Sequence, residues 1–287
     1  MIFWQLTLYA ISVGMFFSVL AMGWGLILRS AKFFNLAYGG AFLVGGYMMF
    51  LFYRMWNVHF VFSILLSLFG SGLYMLLSYK FIFSVLLRRK AKSLILLIAS
   101  FGLLTATSAI LGMIFGNQST LIARHLSDIY TVNVFGAVLN LAQVVAIVFV
   151  PVLIFVFAYI RSSTRFGRAM RAIEDDSEVA ELVGIPKDKT LLQIFFISGT
   201  LAGLGGIAEG FDLGLIPTSG LIIILPTIVA TVVGGMQSFW GGILGAFILA
   251  IAQQLTIVFF GGSWVQAVPF VILIIMLLLR PQGILKR

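Results

Sequence analysis

The sequence contains no cysteine, which removes disulfides, thiolate metal sites and cysteine nucleophiles from consideration. Charge is scarce as well: 9% of the 287 residues are charged, against roughly 25% in an ordinary soluble domain. Histidine is nearly absent. His59 and His125 stand apart, so the three or four converging donors of a zinc site are missing, and both read as solvated or interfacial residues. No G-x-x-x-x-G-K-[S/T] and no H-E-x-x-H occurs. The first absence excludes ATP held by a phosphate-cradling P-loop on this chain, the second a helix-borne zinc hydrolase site. Serine and threonine are plentiful, but no histidine and carboxylate pattern accompanies them to activate a nucleophile. The expectation is a chain that is not an enzyme and has no catalytic, cofactor or metal site of its own.

What is abundant is apolar side chain, 61% of the total, gathered in runs near the roughly 20 residues that a spanning helix needs. Windows bounded by charge, Gly/Pro or polar clusters fall at Ile2 to Leu28, Phe33 to Tyr53, Val58 to Phe83, Leu94 to Phe115, Ala137 to Ile160, Thr190 to Phe211, Leu221 to Met236, Phe239 to Phe260 and Trp264 to Leu279. The expected fold is an all-α integral membrane protein, a polytopic helical bundle of about eight to nine transmembrane segments in one domain. Two windows are candidates for broken or re-entrant helices. Phe33 to Tyr53 is rich in small residues in its first half, with Asn35 at its mouth; Leu221 to Met236 is short and holds Pro226. Irregular backbone at that depth is tolerated only where protein or a water-filled cavity covers it. No solenoid-type repeat is visible, while inverted repeats of the transporter kind stay open.

The net charge of +9 would suggest nucleic acid on a soluble fold, but here the cations sit beside apolar spans, so no nucleic-acid partner is expected. Topology accounts for them. With alternating spans and the tail "RPQGILKR" inside, Arg29, Lys32, Arg88, Arg89, Lys90, Lys92 and the cations between Arg161 and Lys189 share the cytoplasmic side. Arg54 and Arg124 fall outside. This places the N-terminus outside and the C-terminus in the cytoplasm, and residues 161–189 form a cytoplasmic loop. Met1 to Leu28 has no basic n-region and no small-residue cleavage pattern, and reads as a retained helix. The outer loop from Gly116 to Asn133 is too short to bury a core. Inside the spans Lys80 reads as snorkelling to the interface. Glu209 and Asp212, in "GGIAEGFDLG", remain open between an interfacial role and pathway lining, since a buried carboxylate is costly unless hydrated or paired. So little intramembrane charge counts against a proton or sodium carrier.

The long polar passage "RAMRAIEDDSEVAELVGIPKDK" contains two short helices. Phe166, Met170 and Ile173 recur at helical spacing with Arg165, Arg168 and Arg171 off that stripe. A second helix begins at Asp176 or Ser177, either able to accept a bond from free first-turn amides, with Glu178 favourably placed against the positive helix end. Val179, Leu182 and Val183 then face one way, Gly184 supplies a left-handed stop, and Pro186 follows. A helix lying on lipid, a solvated loop and a docking site for a cytoplasmic partner all fit this spacing. The carboxylates Glu174, Asp175, Asp176, Glu178 and Glu181 weigh against a purely lipid-seeking helix facing an anionic leaflet.

"GRAMRAIEDDSEVAELVGIPKDK" resembles the cytoplasmic coupling loop of the permease subunits of branched-chain amino acid ABC importers, the LivH and LivM family. "FFNLAYGG" at residues 33–40 is similar to that family's early F-N-x-A-[H/Y]-G segment, "VVGGMQSFWGGILGAF" at 232–247 to its glycine-rich block, and "RPQGILKR" to its R-P-x-G-[I/L] ending. The ordered set spans most of the chain. The resemblance implies a permease in a bacterial or archaeal plasma membrane. It also implies partners: a second permease subunit (LivM-like or homologous), two cytoplasmic ABC ATPase subunits that bind the ATP, and a periplasmic or lipid-anchored substrate-binding protein, all within membrane lipid. ATP-driven closure of the ATPases would then be transmitted through the loop, with Arg168, Arg171, Glu174, Asp175, Ala180 and Gly184 assigned to docking, Gly184 for its backbone angle.

The pathway candidates are Asn35, Tyr38, Gly39, Gly40, Glu209, Pro217 and Thr218. The glycines, like Gly234, Gly235, Gly241, Gly242 and Gly245, fit close helix packing first. Asn35 and Tyr38 carry polar groups that need partners in lipid, and Pro217 with Thr218 marks a re-entrant turn. Met236 and Gln237 replace a usual glycine motif, and Gln253 and Gln254 stand where many relatives carry glutamate. The substrate expected is a branched-chain or related amino acid, with urea or short amides as the alternative. A stand-alone channel or secondary carrier is the rival class.

Overall fold

A computed structural model describes residues 2–123, 131–134, 137–280 and 283–285. Of the residues used above, Met1, Arg124, His125, Pro281, Gln282, Lys286 and Arg287 lie outside the described residues. The chain forms α1 (Ile2–Ala31), α2 (Ala37–Met49), α3 (Phe60–Ser78), α4 (Ser84–Arg88), α5 (Ser93–Phe115), a hairpin of β1 (Thr131–Val134) and β2 (Ala137–Asn140), α6 (Leu141–Ser163), α7 (Arg165–Asp175), α8 (Ser177–Leu182), α9 (Lys187–Asp212), α10 (Ser219–Gly234), α11 (Phe239–Phe260) and α12 (Val268–Leu279). π-Helical turns extend α2 over Phe50–Met55 and join α3 to α4 over Tyr79–Phe83. Among the described residues six helices are long and apolar enough to cross a membrane: α1, the α3–α4 run, α5, α6, α9 and α11. α10 and α12 are shorter apolar helices. The all-α membrane class expected from composition holds.

Local chemistry sets the boundaries. Asn140 caps α6 in a reciprocal box with Gln143, its side chain accepting from the Gln143 amide at 2.9 Å while its own amide donates to the Gln143 side chain at 3.3 Å. The apolar window that starts at Ala137 is therefore divided: residues 137–140 pair in the hairpin, Thr131 opposite Asn140 and Val134 opposite Ala137, and the helix begins after the cap. The windows at Phe33 and Leu221 also shift. Residues 32–36 are non-helical and α2 starts at Ala37; α10 starts at Ser219 and ends at Gly234.

α1 and α9 run through the interior, whereas α5 and α6 keep much of their apolar surface outward, as lipid or a partner subunit requires. Small residues set the interior spacing. α2 lies against α9 with Gly45 facing Gly203 and Gly46 facing Gly206; α9 lies against α3 with Gly203 on Ser71. Ser67, Ser71 and Ser78 of α3 return their hydroxyls to carbonyls of their own helix, so the small polar stripe on α3 is satisfied without a partner helix. Close backbone approach then supplies dispersion contact where lipid gives no hydrophobic drive.

These contacts repeat in the second half with the direction reversed. α1 packs on α11 as α9 packs on α3, α2 on α3 as α10 on α11, and α2 on α5 as α10 on α12. Gly14 sits at Phe247 and Gly242 near Ala21, so α1 and α11 are antiparallel; Gly199 sits at Met75 and Gly203 at Ser71, so α9 and α3 are antiparallel too; and Gly23 sits at Leu201 with Gly205 at Leu20, so the equivalent helices α1 and α9 run in opposite directions. The chain thus contains an inverted repeat, in which α2 and α10 hold equivalent places, each an unbroken helix, and α6 to α8 are the insert between the halves.

Candidate functional site

One end of the bundle collects Arg29, Lys32, Arg88 and Arg161, and there α7 and α8 lie. Thr164 caps α7 by accepting from the Gly167 amide at 3.0 Å. Met170 and Ile173 are fully buried, which is the stripe read from the periodicity. Asp176 caps α8, its carboxylate accepting from the amides of Glu178 (2.9 Å) and Val179 (3.2 Å). Gly184 closes the helix at φ +85°, with Ile185 N–H returning to Ala180 C=O at 3.0 Å. No neighbour lies within 4 Å of where a Cβ would stand on Gly184, so the glycine is required by its left-handed backbone and not by crowding.

The six loop residues singled out from the sequence divide into two sets. Arg168, Asp175 and Gly184 are exposed. Ala180 is buried and Glu174 is turned inward. The Glu174 carboxylate receives both guanidinium nitrogens of Arg161, at 2.8 and 2.5 Å, and Nε of Arg29 at 3.4 Å, while Lys32 donates to the Glu174 carbonyl at 2.5 Å. Arg171 donates to the carbonyls of Arg161 and Ser162. Arg161 also lies over the Phe239 ring, 5.6 Å from its centroid. α7 is thereby tied to α1 and α6 by charge-assisted bonds, and Arg161 carries the contact on to the start of α11 through the Phe239 ring. The surface that remains outward is apolar with an acidic rim. Val179, Leu182 and Val183 are 54%, 87% and 71% exposed, next to exposed Glu178 and Glu181.

The pathway candidates occupy three places. Asn35 is fully buried where the chain turns back into the bundle: its carbonyl accepts from Trp24 Nε1 at 2.9 Å and its side-chain oxygen from the Ala37 amide at 2.9 Å. Tyr38 is buried with its hydroxyl against Gly23, and Gly40 faces the Tyr74 hydroxyl. α2 and α10, both continuous helices, meet at Gly39 and Gly220; a Cβ on Gly39 would stand 2.5 Å from the Gly220 carbonyl, and one on Gly220 would stand 2.6 Å from the Gly39 carbonyl. Pro217 and Thr218 form the turn before α10, held by Ser108 donating to the Pro217 carbonyl at 2.6 Å, and line a cleft with α5.

Glu209 sits elsewhere, in a cavity of about 390 Å³ at the end of the bundle opposite the loop. α1, α6, α9, α10, α11 and the start of α12 line it, and it is open on one side. Asp212 shares the cavity and accepts from the side chains of Asn140 and Gln143, the latter at 3.3 Å. The reading of the sequence did not bring Ser12 or Gln253 to this place, nor Arg29 and Arg161 to Glu174. Each pairing joins segments far apart in the chain, and no local spacing announces it. Among the described residues no group of three or more His, Cys, Asp and Glu side chains gathers for a metal.

Comparison with known proteins gives a consistent picture. A family profile described as branched-chain amino acid transport system / permease component matches residues 6–277. The chain is 26% identical to the high-affinity branched-chain amino acid transport system permease protein LivH of Salmonella typhimurium, covering 99% of this chain and 96% of that one. It is 25% identical to BraD, a permease protein of the same description from Pseudomonas aeruginosa, over 96% and 94%. A probable LivH of Methanocaldococcus jannaschii is 27% identical over 93% and 87%. Among solved structures, PsaBC from Streptococcus pneumoniae in complex with Fab aligns with a TM-score of 0.51 at 13% identity, covering 96% of this chain and 91% of that one, a likeness of fold alone.

Proposed function

Because the chain belongs to the family of branched-chain amino acid transport system permease components, we propose that it is the membrane-spanning permease subunit of an ATP-driven importer for branched-chain or related amino acids. Nine spans cross a bacterial or archaeal plasma membrane, with α2, α10 and α12 as the short ones. The N-terminus lies outside, and the end carrying Arg29, Arg88 and Arg161 lies in the cytoplasm, as the bias of Lys and Arg supports. The chain pairs with a second permease subunit, a LivM-like chain or another copy of itself, and receives substrate from a periplasmic or lipid-anchored binding protein. Two cytoplasmic ATPases bind the ATP, since this chain has no P-loop.

The observation that carries this reading is the division of labour in residues 161–189. Arg29, Arg161 and Lys32 grip α7 from within through Glu174, while Val179, Leu182 and Val183 stand exposed beside acids. An apolar centre with a charged rim is the form of a docking surface, and a rigid tie behind it is what passes motion on. Of the loop residues, Arg168, Asp175 and the turn at Gly184 take part in docking; Glu174, Ala180 and Arg171 hold the loop in place. ATP-driven closure of the partners pulls the loop and, through α1 and α6, switches the pair between outward and inward openings. The test is co-purification of the ATPases with the chain. Leu182→Asp and Val179→Asp should abolish it without lowering thermal stability, because both side chains are exposed; retained ATPase binding by the double variant would overturn the docking assignment.

A further inference from the structure

The cavity at the end opposite the loop holds polar groups that the fold itself does not use. Asp212 is engaged by Asn140 and Gln143. The Glu209 carboxylate, by contrast, has neither hydrogen bond nor ion pair among the described residues. Gln253, 7% exposed, and Ser12, 5% exposed, line the same space, and their side chains also form no hydrogen bond among the described residues. Keeping a carboxylate, an amide and a hydroxyl around one hollow is unfavourable unless something fills it. Gln253 is more than nine-tenths buried, comes from a different helix than the acidic pair, and gives an observation independent of it.

We infer that this cavity is a binding subsite for an aliphatic amino acid, with Glu209 as counter-ion to the primary ammonium and Gln253 and Ser12 as hydrogen-bond donors to the ligand's carboxylate. The chemistry of the walls selects that class. Two carboxylates and, among the described residues, no Lys or Arg line the space, so it favours a cationic group. A hard metal ion takes six or more oxygen ligands, and here the remaining lining is mostly apolar, with Phe16, Phe17, Ile222 and Phe270 among it. A small organic ammonium with a hydrocarbon body matches one acidic corner and an apolar wall. The volume of about 390 Å³ falls in the range of about 300–1,000 Å³ usual for small-molecule sites. This subsite rests on the permease reading given above, and lies at the end of the bundle where that reading places substrate delivery.

The test uses the complete importer in proteoliposomes, with L-leucine as probe. Glu209→Gln removes a charge that has no partner among the described residues, so thermal stability should hold or rise. The half-saturating leucine concentration should rise about tenfold or more. Inhibition of uptake by isopentylamine, which keeps the ammonium and the hydrocarbon but lacks the carboxylate, should vanish in the variant. Gln253→Leu should also raise the half-saturating concentration but leave amine inhibition in place. The same binding protein serves wild type and variants, so a difference between them belongs to the permease. An unchanged half-saturating concentration and unchanged amine inhibition in Glu209→Gln would overturn the subsite. Ethanolamine headgroups share the ammonium chemistry. A Glu209→Gln effect seen only in vesicles containing phosphatidylethanolamine, and absent in phosphatidylcholine alone, would assign the cavity to lipid and overturn the amino-acid reading. Wild-type importer that accumulates no leucine with ATP would instead remove the permease reading on which the subsite depends.

Discussion

Replacing Glu174 with alanine removes the carboxylate on which two guanidinium groups converge, and the structure sets the scale of the effect. The side chains of Glu174, Arg29 and Arg161 are 3%, 5% and 14% exposed, so water cannot take the place of the lost partner. Breaking a buried ion pair by removing one member costs about 3–5 kcal/mol, because a charge is left uncompensated. The same protein carries its own control. Arg88 and Asp188 also pair at 2.6 Å, but their side chains are 73% and 53% exposed, and an exposed pair contributes about 0–1 kcal/mol. Since Glu174 ties α7 to α1 and α6, the loss should appear as local opening of the loop. A cost of about 3–5 kcal/mol corresponds to roughly two to four orders of magnitude in the open population. The assay is tryptic cleavage within residues 165–189 of the purified protein, read by mass spectrometry against time. Glu174→Ala should be cleaved far faster than wild type and Arg88→Ala nearly at the wild-type rate. Equal cleavage of the two variants would refute the internal tie. So would a Glu174→Ala variant that keeps its loop intact and loses only ATPase affinity.

Gly184→Val forces a β-branched residue to φ +85°, at about 1–2 kcal/mol; ATPase co-purification should fall, and Gly184→Asn, which tolerates the left-handed region, should restore most of it. Gly206→Leu drives a side chain into the Phe42 carbonyl of α2, so the α2–α9 contact should open and the thermal midpoint in detergent should drop, with overpacking costing about 1–3 kcal/mol or more; an unchanged midpoint would contradict the packing described.

The parts of the molecule that were legible in the sequence are those decided within a few residues. Met170 and Ile173 fix the inward face of α7, Asp176 the start of α8 and Gly184 its end, because caps and periodicity act over one or two turns. The shortness of α10 was likewise visible in the length of the window Leu221 to Met236, although Pro226 lies inside the helix and does not end it. Distance in the chain is what hid the rest. Glu174 reads as one more acid in a polar loop until Arg29, 145 positions away, is folded onto it. Asn35 and Tyr38 read as pathway residues because polar groups in an apolar run need partners; the structure places them in the packed interior between α1, α2 and α9, while Ser12 and Gln253, each unremarkable in its own span, face the cavity with Glu209. Residues 137–139 were absorbed into a span because three apolar residues before a helix look like its beginning, and only the Asn140–Gln143 box shows where the helix starts.

The central claim is that this chain conducts and separate ATPases drive it through residues 161–189. Its most direct measurement is uptake of labelled leucine into proteoliposomes holding the chain alone, or the chain with its partner permease, both ATPases and the binding protein. Accumulation above the external concentration only in the complete assembly, only with ATP, and not with Leu182→Asp, is the predicted result. Concentrative uptake by the chain alone, or by the assembly with the Leu182→Asp loop, would contradict the account.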